Sequence, residues 1–317
     1  DRRSPRHAVG HSGRAGAVAA VRPEGGRAVH PAAPARPAPA VPHPHGLVQR
    51  RQRRHRTGLG HGVGAPGQPG GNMEGKETRL GVVNSALWAA AATATSNGAN
   101  SSMFDSFTPL GGLVPLWLMQ LGEVIFGGVG SGLSGMLMLV LITVFVAGLM
   151  VGRTPEYLGK KIEPHEMKMA SIAVLMMPLV VLISTAVSVI IPAGVESISN
   201  PGAHGFTQIL YAFTSLANNN GSSFSGLDTN TPFYNFLGSL IMLIGRYWTV
   251  IPILALSGSL VKKKIIPSNA GTLATHTPIF LILLVGVTFL LGGISFLPPL
   301  ALGPIVENLL LWGHYGK

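Results

Sequence analysis

Two short stretches carry residue types that could hold a cation stripped of water: Ser96-Asn97-Gly98-Ala99 and Asn219-Asn220-Gly221-Ser222. Each offers side-chain oxygens and a glycine. Glycine permits backbone angles that turn carbonyl oxygens toward an ion, so that they replace its hydration shell. Each stretch follows a short apolar segment, and a helix ending there would add the negative potential of its last carbonyls. The competing reading is a polar turn between the two helices of a hairpin. Two charges stand alone in apolar runs: Glu123 within 110–125 and Arg246 within 233–260. An ionisable group inside a span is costly and ordinarily faces a water-filled path or a partner. Arg246 therefore reads as a tethered barrier on a cation path, as a structural ion pair with Glu123, or as both. Asp105 and Asp228 each precede a Thr-Pro helix start. They read as turn caps or as an outer acidic ring that attracts cations.

A third group is conformational. Gly127, Gly128, Gly130, Gly132 and Gly135 crowd into nine residues, enough to unwind a helix in mid-membrane. They suit a flexible gating loop beneath the candidate filter, or close helix packing through small residues. Gly130-Ser131-Gly132-Leu133-Ser134-Gly135 also matches G-x-G-x-x-G, but no strand–helix–strand context supports a dinucleotide site. The chain has no cysteine, which excludes a disulfide framework, a thiolate metal site and a cysteine nucleophile.

The elements that must position these residues are membrane helices. Of 317 residues, 47% are hydrophobic and only 11% charged, against about 25% charged in soluble domains. Residues 124–152, 169–195 and 265–306 contain no Asp, Glu, Lys or Arg. Such runs match the ~20 apolar residues a helix needs to span hydrocarbon. Arg153, Lys160, Lys161 and Lys168 in one loop, and Lys262, Lys263 and Lys264 in another, put 153–168 and 261–275 in the cytoplasm. Segment 193–231 has no Lys or Arg and should face outside. Within it, 205–217 is apolar but too short to span. It breaks into Asn218-Asn219-Asn220-Gly221, the pattern of a re-entrant loop lining a cavity.

The chain also repeats at an offset of 123 residues. Leu87-Trp88-Ala89 falls on Leu210-Tyr211-Ala212, Asn97-Gly98 on Asn220-Gly221, and Asp105 on Asp228. Thr108-Pro109 falls on Thr231-Pro232, Gly122 on Gly245, and Glu123 on Arg246. The unit is a short helix, a polar glycine turn and a spanning helix. The second copy has a further span before it.

Residues 1–71 differ in kind. They hold 12 Arg, no Lys and two acids, a net charge of +10, whereas residues 72–317 net +1. With no Phe, Tyr, Trp, Met, Ile or Asn, the segment cannot bury enough surface to offset chain entropy and reads as disordered. A basic arm clustered at Arg50, Arg51, Arg53, Arg54 and Arg56 would suit nucleic acid or lipid. A targeting peptide would need an apolar stretch that is missing. The composition fits best an out-of-frame or non-native translation of GC-rich DNA, with the genuine sequence resuming near Asn72-Met73.

Residues 72–77 (NMEGKE), 122–132 (GEVIFGGVGSG), 152–162 (GRTPEYLGKKI) and 218–222 (NNNGS) resemble the KdpA family. These are the potassium-binding and translocating subunits of the bacterial Kdp potassium-transporting ATPase. The resemblance runs over about 72–312. It implies an all-α polytopic membrane protein with potassium-channel-like span–pore helix–filter–span repeats, truncated here. The implied divisions are a partial third repeat at 72–168, a fourth repeat at 169–264, and a C-terminal transmembrane helix and tail at 265–317. The potassium filters map onto Ser96, Asn97, Gly98 and Ala99, and onto Asn219, Asn220, Gly221 and Ser222. The mid-membrane loop maps onto Gly127–Gly135 and the pathway arginine onto Arg246, with Glu123 beside it. The resemblance implies potassium as the transported ion. The chain itself is non-catalytic, and neither a G-x-x-x-x-G-K-[ST] motif nor an aspartyl-phosphate motif provides an ATP site. The implied partners are an ATP-hydrolysing P-type subunit, a single-anchor accessory subunit, a small single-span subunit and the lipid bilayer, but no nucleic acid. The implied location is the bacterial inner membrane. A self-contained cation channel or secondary potassium transporter of the same superfamily is the alternative.

Overall fold

The computed structural model describes residues 81–124, 127–128, 131–267 and 272–315. The expectations for 1–71 and for Gly130 lie outside the described residues. Helices dominate: α1 (Val82–Ala94), α2 (Pro109–Gln120), α3 (Gly132–Val151), α4 (Pro164–Ile190), α5 (Pro192–Val195), α6 (Ala203–Asn218), α7 (Pro232–Lys262) and α8 (Pro278–Leu300). A π-turn at Ala301–Ile305 leads from α8 into α9 (Val306–Tyr315). Among the described residues four helices are long and apolar enough to cross a membrane: α3, α4, α7, and α8 with its continuation to Leu311. The chain is a multi-pass membrane protein.

Local sequence sets the helix starts. Thr108, Thr231 and Thr277 cap α2, α7 and α8, accepting the amides of Gly111, Tyr234 and Phe280 at 3.3, 3.4 and 3.3 Å. Each is followed by proline at N1, whose fixed φ suits the first turn and whose missing donor is not needed there. A reciprocal capping box starts α4: Glu163 and Glu166 accept each other's backbone amides, one of them at 2.8 Å.

The 123-residue offset reappears in backbone geometry. Ser96 and Asn219 both adopt left-handed φ, 60° and 56°. The amides of Asn97 and Asn220 reach back to the carbonyls of Ala92 and Ser215, closing the last turns of α1 and α6. Asn97 Oδ1 accepts from Ala99 N at 3.0 Å, and Asn220 Oδ1 from Ser222 N at 2.8 Å. The same bonds at the same spacing mean that the two asparagines brace their turns in the same way.

The structure corrects four expectations. The chain is not wholly helical: Glu156–Tyr157 and Lys160–Lys161 form a two-stranded antiparallel hairpin, β1 and β2. Its turn residues Leu158 and Gly159 both have positive φ, the geometry that matches strand twist. Glu123 does not sit in a helix as Arg246 does. Helix α2 stops at Gln120, and Gly122 (φ 87°) and Glu123 (φ 51°) turn the chain away. Among the described residues the unwound segment comprises 121–124, 127–128 and 131, while Gly132 and Gly135 belong to α3. Finally, Asp105 is not part of an outer ring. It is 1% exposed, and its Oδ1 lies 2.7 Å from both His204 Nε2 and Gln208 Nε2. The second ring nitrogen of His204 meets Glu307 at 2.9 Å, so the start of α6 is tied to α9 as well. Asp228 is exposed and accepts from Asn230 N at 3.1 Å, a turn cap.

Helix α6 is the packing centre. Ile209, Leu210, Tyr211 and Phe213 are at most 2% exposed, and they pack with Phe104, Leu116, Met119 and Phe296. Tyr211 packs against Phe224 with centroids 4.7 Å apart and rings tilted by 35°, and Phe213 stacks on Tyr234 at 5.8 Å. A short helix with so little of its surface exposed is held by the longer helices around it. At the opposite end Lys263 joins the end of α7 to the first turn of α4 and the loop before it, with Nζ 2.6 Å from Glu166 Oε2 and 2.9 Å from the carbonyl of Lys161. Burial pulls the Lys263 ammonium pKa down. The hydrogen bonds and charges of Glu166 and Glu163 outweigh this and hold it above the ordinary lysine value.

Candidate functional site

The two polar turns meet. A Cβ built on Gly98 would lie 2.6 Å from the carbonyl oxygen of Asn220 and 2.9 Å from the carbonyl carbon of Gly221. Glycine is required there because backbone approaches backbone with no room between. Gly221 has the other reason for being glycine: its φ is +75°, although the space that a Cβ would occupy is open. Asn100 Nδ2 donates to the carbonyl of Ser223, its mate at offset 123, at 3.0 Å. The C-terminal ends of α1 and α6 therefore converge, and with them the negative ends of two helix dipoles.

An aromatic residue ties each turn to its own helix. Trp88 Nε1 donates to the carbonyl of Ala99 at 2.8 Å, and Tyr211 Oη is 2.6 Å from Ser222 Oγ. Trp88 and Tyr211 are again 123 apart, as are Ala99 and Ser222. Ser215 Oγ lies 2.6 Å from both Asn220 Oδ1 and the Ser222 carbonyl. These supports keep polar backbone ordered in an otherwise apolar interior, where each unpaired group would be costly.

Beneath the turns sits Glu123, 1% exposed. Its Oε1 accepts from Asn220 Nδ2 at 2.5 Å, and Ser96 hydrogen-bonds it from the other turn. Arg246 is close enough to attract it electrostatically. Arg246 Nη1 also lies 3.7 Å from the Cβ position of Gly128. One member of each sequence-level group thus gathers at one place: both turns, the glycine loop and the two lone charges. The loop is compact at its base. Gly132 N donates to the Glu123 carbonyl at 3.1 Å, and a side chain on Gly127 would overlap Ser131 and Gly132. Gly135 stands apart, one turn into α3 with open space around its Cβ position.

Asn218, the first residue of the asparagine turn, bridges two helices. Its Nδ2 donates to the carbonyl of Met119, linking α6 to the end of α2. The supporting roles of Trp88, Tyr211, Ser215 and Asn100 emerge only here. For Trp88 and Tyr211 the 123-residue alignment was the available signal.

Fold and site together define a multi-pass helical membrane protein in which two helix–turn units of one design face each other over a buried carboxylate. The family model of KdpA, the potassium-transporting ATPase A subunit, matches residues 48–309. The chain belongs to the KdpA family. The potassium-transporting ATPase potassium-binding subunit of Methylococcus capsulatus is 65% identical over 244 residues, 77% of this chain and 41% of that protein. Those of Sorangium cellulosum and Herpetosiphon aurantiacus are 64% and 62% identical over 242 and 244 residues, each with 42% of its length covered. The chain thus spans about two fifths of the length of these relatives. The family match begins at 48, inside the segment whose composition sets it apart.

Proposed function

We propose that this chain supplies part of the potassium-binding and translocating subunit of an ATP-driven potassium uptake pump of the bacterial inner membrane. The observation that carries the reading is the direct contact of two equivalent turns at the C-terminal ends of α1 and α6. Ser96, Asn97, Gly98 and Ala99 form one part of a potassium filter and Asn219, Asn220, Gly221 and Ser222 another. The two belong to the third and fourth of the family's four span–pore–span repeats, with boundaries near 168 and 264. Carbonyl and side-chain oxygens replace the water of the ion, and helix dipoles favour its charge. Glu123, Arg246 and the loop through Gly127 and Gly128 lie next on the path and gate it. Gly130 belongs to the same loop by sequence, and Gly132 and Gly135 open the helix that follows it. The chain is non-catalytic. Energy comes from an ATP-hydrolysing P-type partner, within a complex that also contains a single-anchor subunit and a small single-span subunit.

The test places this segment in an assembled Kdp complex of a full-length relative and follows potassium-dependent ATP hydrolysis. Gly221→Asp should lower potassium affinity or relax discrimination against rubidium, because it sets an anionic side chain beside the carbonyl oxygens that hold the ion. Unchanged affinity and selectivity in a normally assembled complex would make the turns hairpin connections only.

A further inference from the structure

A cavity with about 770 Å³ of empty space, its open mouth included, lies between the helix break and α4, α7 and α8. The unwound segment forms one wall through Leu121, Gly122, Val124 and Ser131. Met138, Leu139, Ile253, Leu291 and Phe296 make most of the rest apolar. No Asp, Glu, Lys, Arg or His lines it among the described residues. Two of its hydroxyls are already committed: Thr249 donates to the carbonyl of Gly245 and Thr288 to that of Leu284.

Gln120 lines this cavity and is 3% exposed, yet neither its Nε2 nor its Oε1 has a hydrogen-bond partner among the described residues. Leaving a buried amide unmatched at both ends is costly, so such a group points to a bound partner. The partner must both donate and accept, as a hydroxyl does. It must otherwise be apolar to match the walls, and uncharged, since no counter-charge lines the cavity. Leu175, 55% exposed on the spanning helix α4, also lines the cavity, so the cavity opens at the outer surface of that helix.

We infer that the cavity binds a neutral single-chain lipid alcohol of the monoacylglycerol class. A hydroxyl pairs with the Gln120 amide and the chain runs along the apolar wall toward Leu175. Because the unwound segment forms one wall, the bound lipid braces that segment and slows whatever movement it makes.

Trp117 reports on the site. Its ring lies 3.6 Å from the Cβ position of Gly292, which lines the cavity. In the full chain with Trp88, Trp248 and Trp312 changed to Phe, reconstituted in nanodiscs, a monoacylglycerol with a dibrominated chain should quench Trp117 fluorescence saturably. The dibrominated fatty methyl ester, which can only accept, should quench only as bulk lipid does. Gln120→Leu removes both hydrogen bonds and should weaken saturable quenching about tenfold. It also removes an unmatched buried amide, so the chain should remain as heat-stable or become more so. Gly135→Leu keeps the amide and fills the cavity, since no atom lies within 4 Å of its Cβ position, and should abolish saturable quenching. Equal, non-saturable quenching by alcohol and ester would overturn the inference and leave the cavity to water. Saturable quenching unchanged in both variants would overturn it too, by placing the lipid elsewhere.

Discussion

Adding one methyl group to Gly98 should separate the two turns. The new Cβ would sit 2.6 Å from the Asn220 oxygen and 2.9 Å from the Gly221 carbonyl carbon. A carbon approaches a carbonyl oxygen comfortably at ~3.3–3.6 Å, so the turns must move apart by roughly 0.7 Å. Both obstacles are backbone, and no rotamer change relieves them. Overpacking of this kind costs about 1–3 kcal/mol. If the contact is part of the ion-binding form, Gly98→Ala should weaken potassium affinity roughly 5-fold to 150-fold. Gly221 gives the internal control. Gly221→Ala meets no neighbour and suffers only the left-handed penalty of ~1–2 kcal/mol. Asparagine tolerates that conformation, so Gly221→Asn should be milder than Gly221→Ala, whereas Gly98→Asn should be worse than Gly98→Ala. The assay is the potassium dependence of ATP hydrolysis by an assembled complex carrying this segment, with thermal unfolding in parallel. Affinity within about twofold of the parent for Gly98→Ala, in a complex that melts normally, would refute the idea that this contact holds the site.

Four further outcomes are expected. Arg246→Met should uncouple potassium movement from ATP hydrolysis while the complex assembles, if the charge gates the path. If the charge mainly compensates buried Glu123, assembly should fail instead, at a cost of about 3–5 kcal/mol. Transport and assembly both unchanged would defeat either role. Lys263→Met should strand the Glu166 carboxylate, whose side chain is 1% exposed, and lower the melting temperature of the chain. Glu166→Gln introduced with it should recover much of the loss. Thr231→Ala should cost about 1 kcal/mol through loss of the α7 cap, measurable as a reduced denaturation midpoint. With no native cysteine to interfere, Glu163→Cys should resist an impermeant thiol reagent applied outside intact cells. Ready labelling would invert the proposed orientation.

Much of this arrangement follows from the chain read one residue at a time. Uncharged runs longer than about 25 residues can only be membrane helices or the core of a large protein, and lysine placement supplies their expected orientation. The Thr-Pro pairs at 108 and 231 start helices because capping is decided within a single turn. The asparagine turns are legible for the same reason: Asn97 and Asn220 brace their own loops two residues on. Tertiary structure decided what local signals do not encode. The sequence alignment puts Glu123 opposite Arg246, yet one lies in a left-handed break and the other inside a continuous 31-residue helix. That difference depends on Gly122 and the close backbone packing of Gly127 on Gly132, contacts set by the whole loop. Asp105 has the same sequence context as Asp228, but only Asp105 is met by His204 and Gln208, about one hundred residues away in the chain. Gln120 is unremarkable among apolar neighbours until α4, α7 and α8 close a cavity around it. Burial, the quantity that makes an unmatched amide or a lone carboxylate consequential, exists only once distant helices have packed.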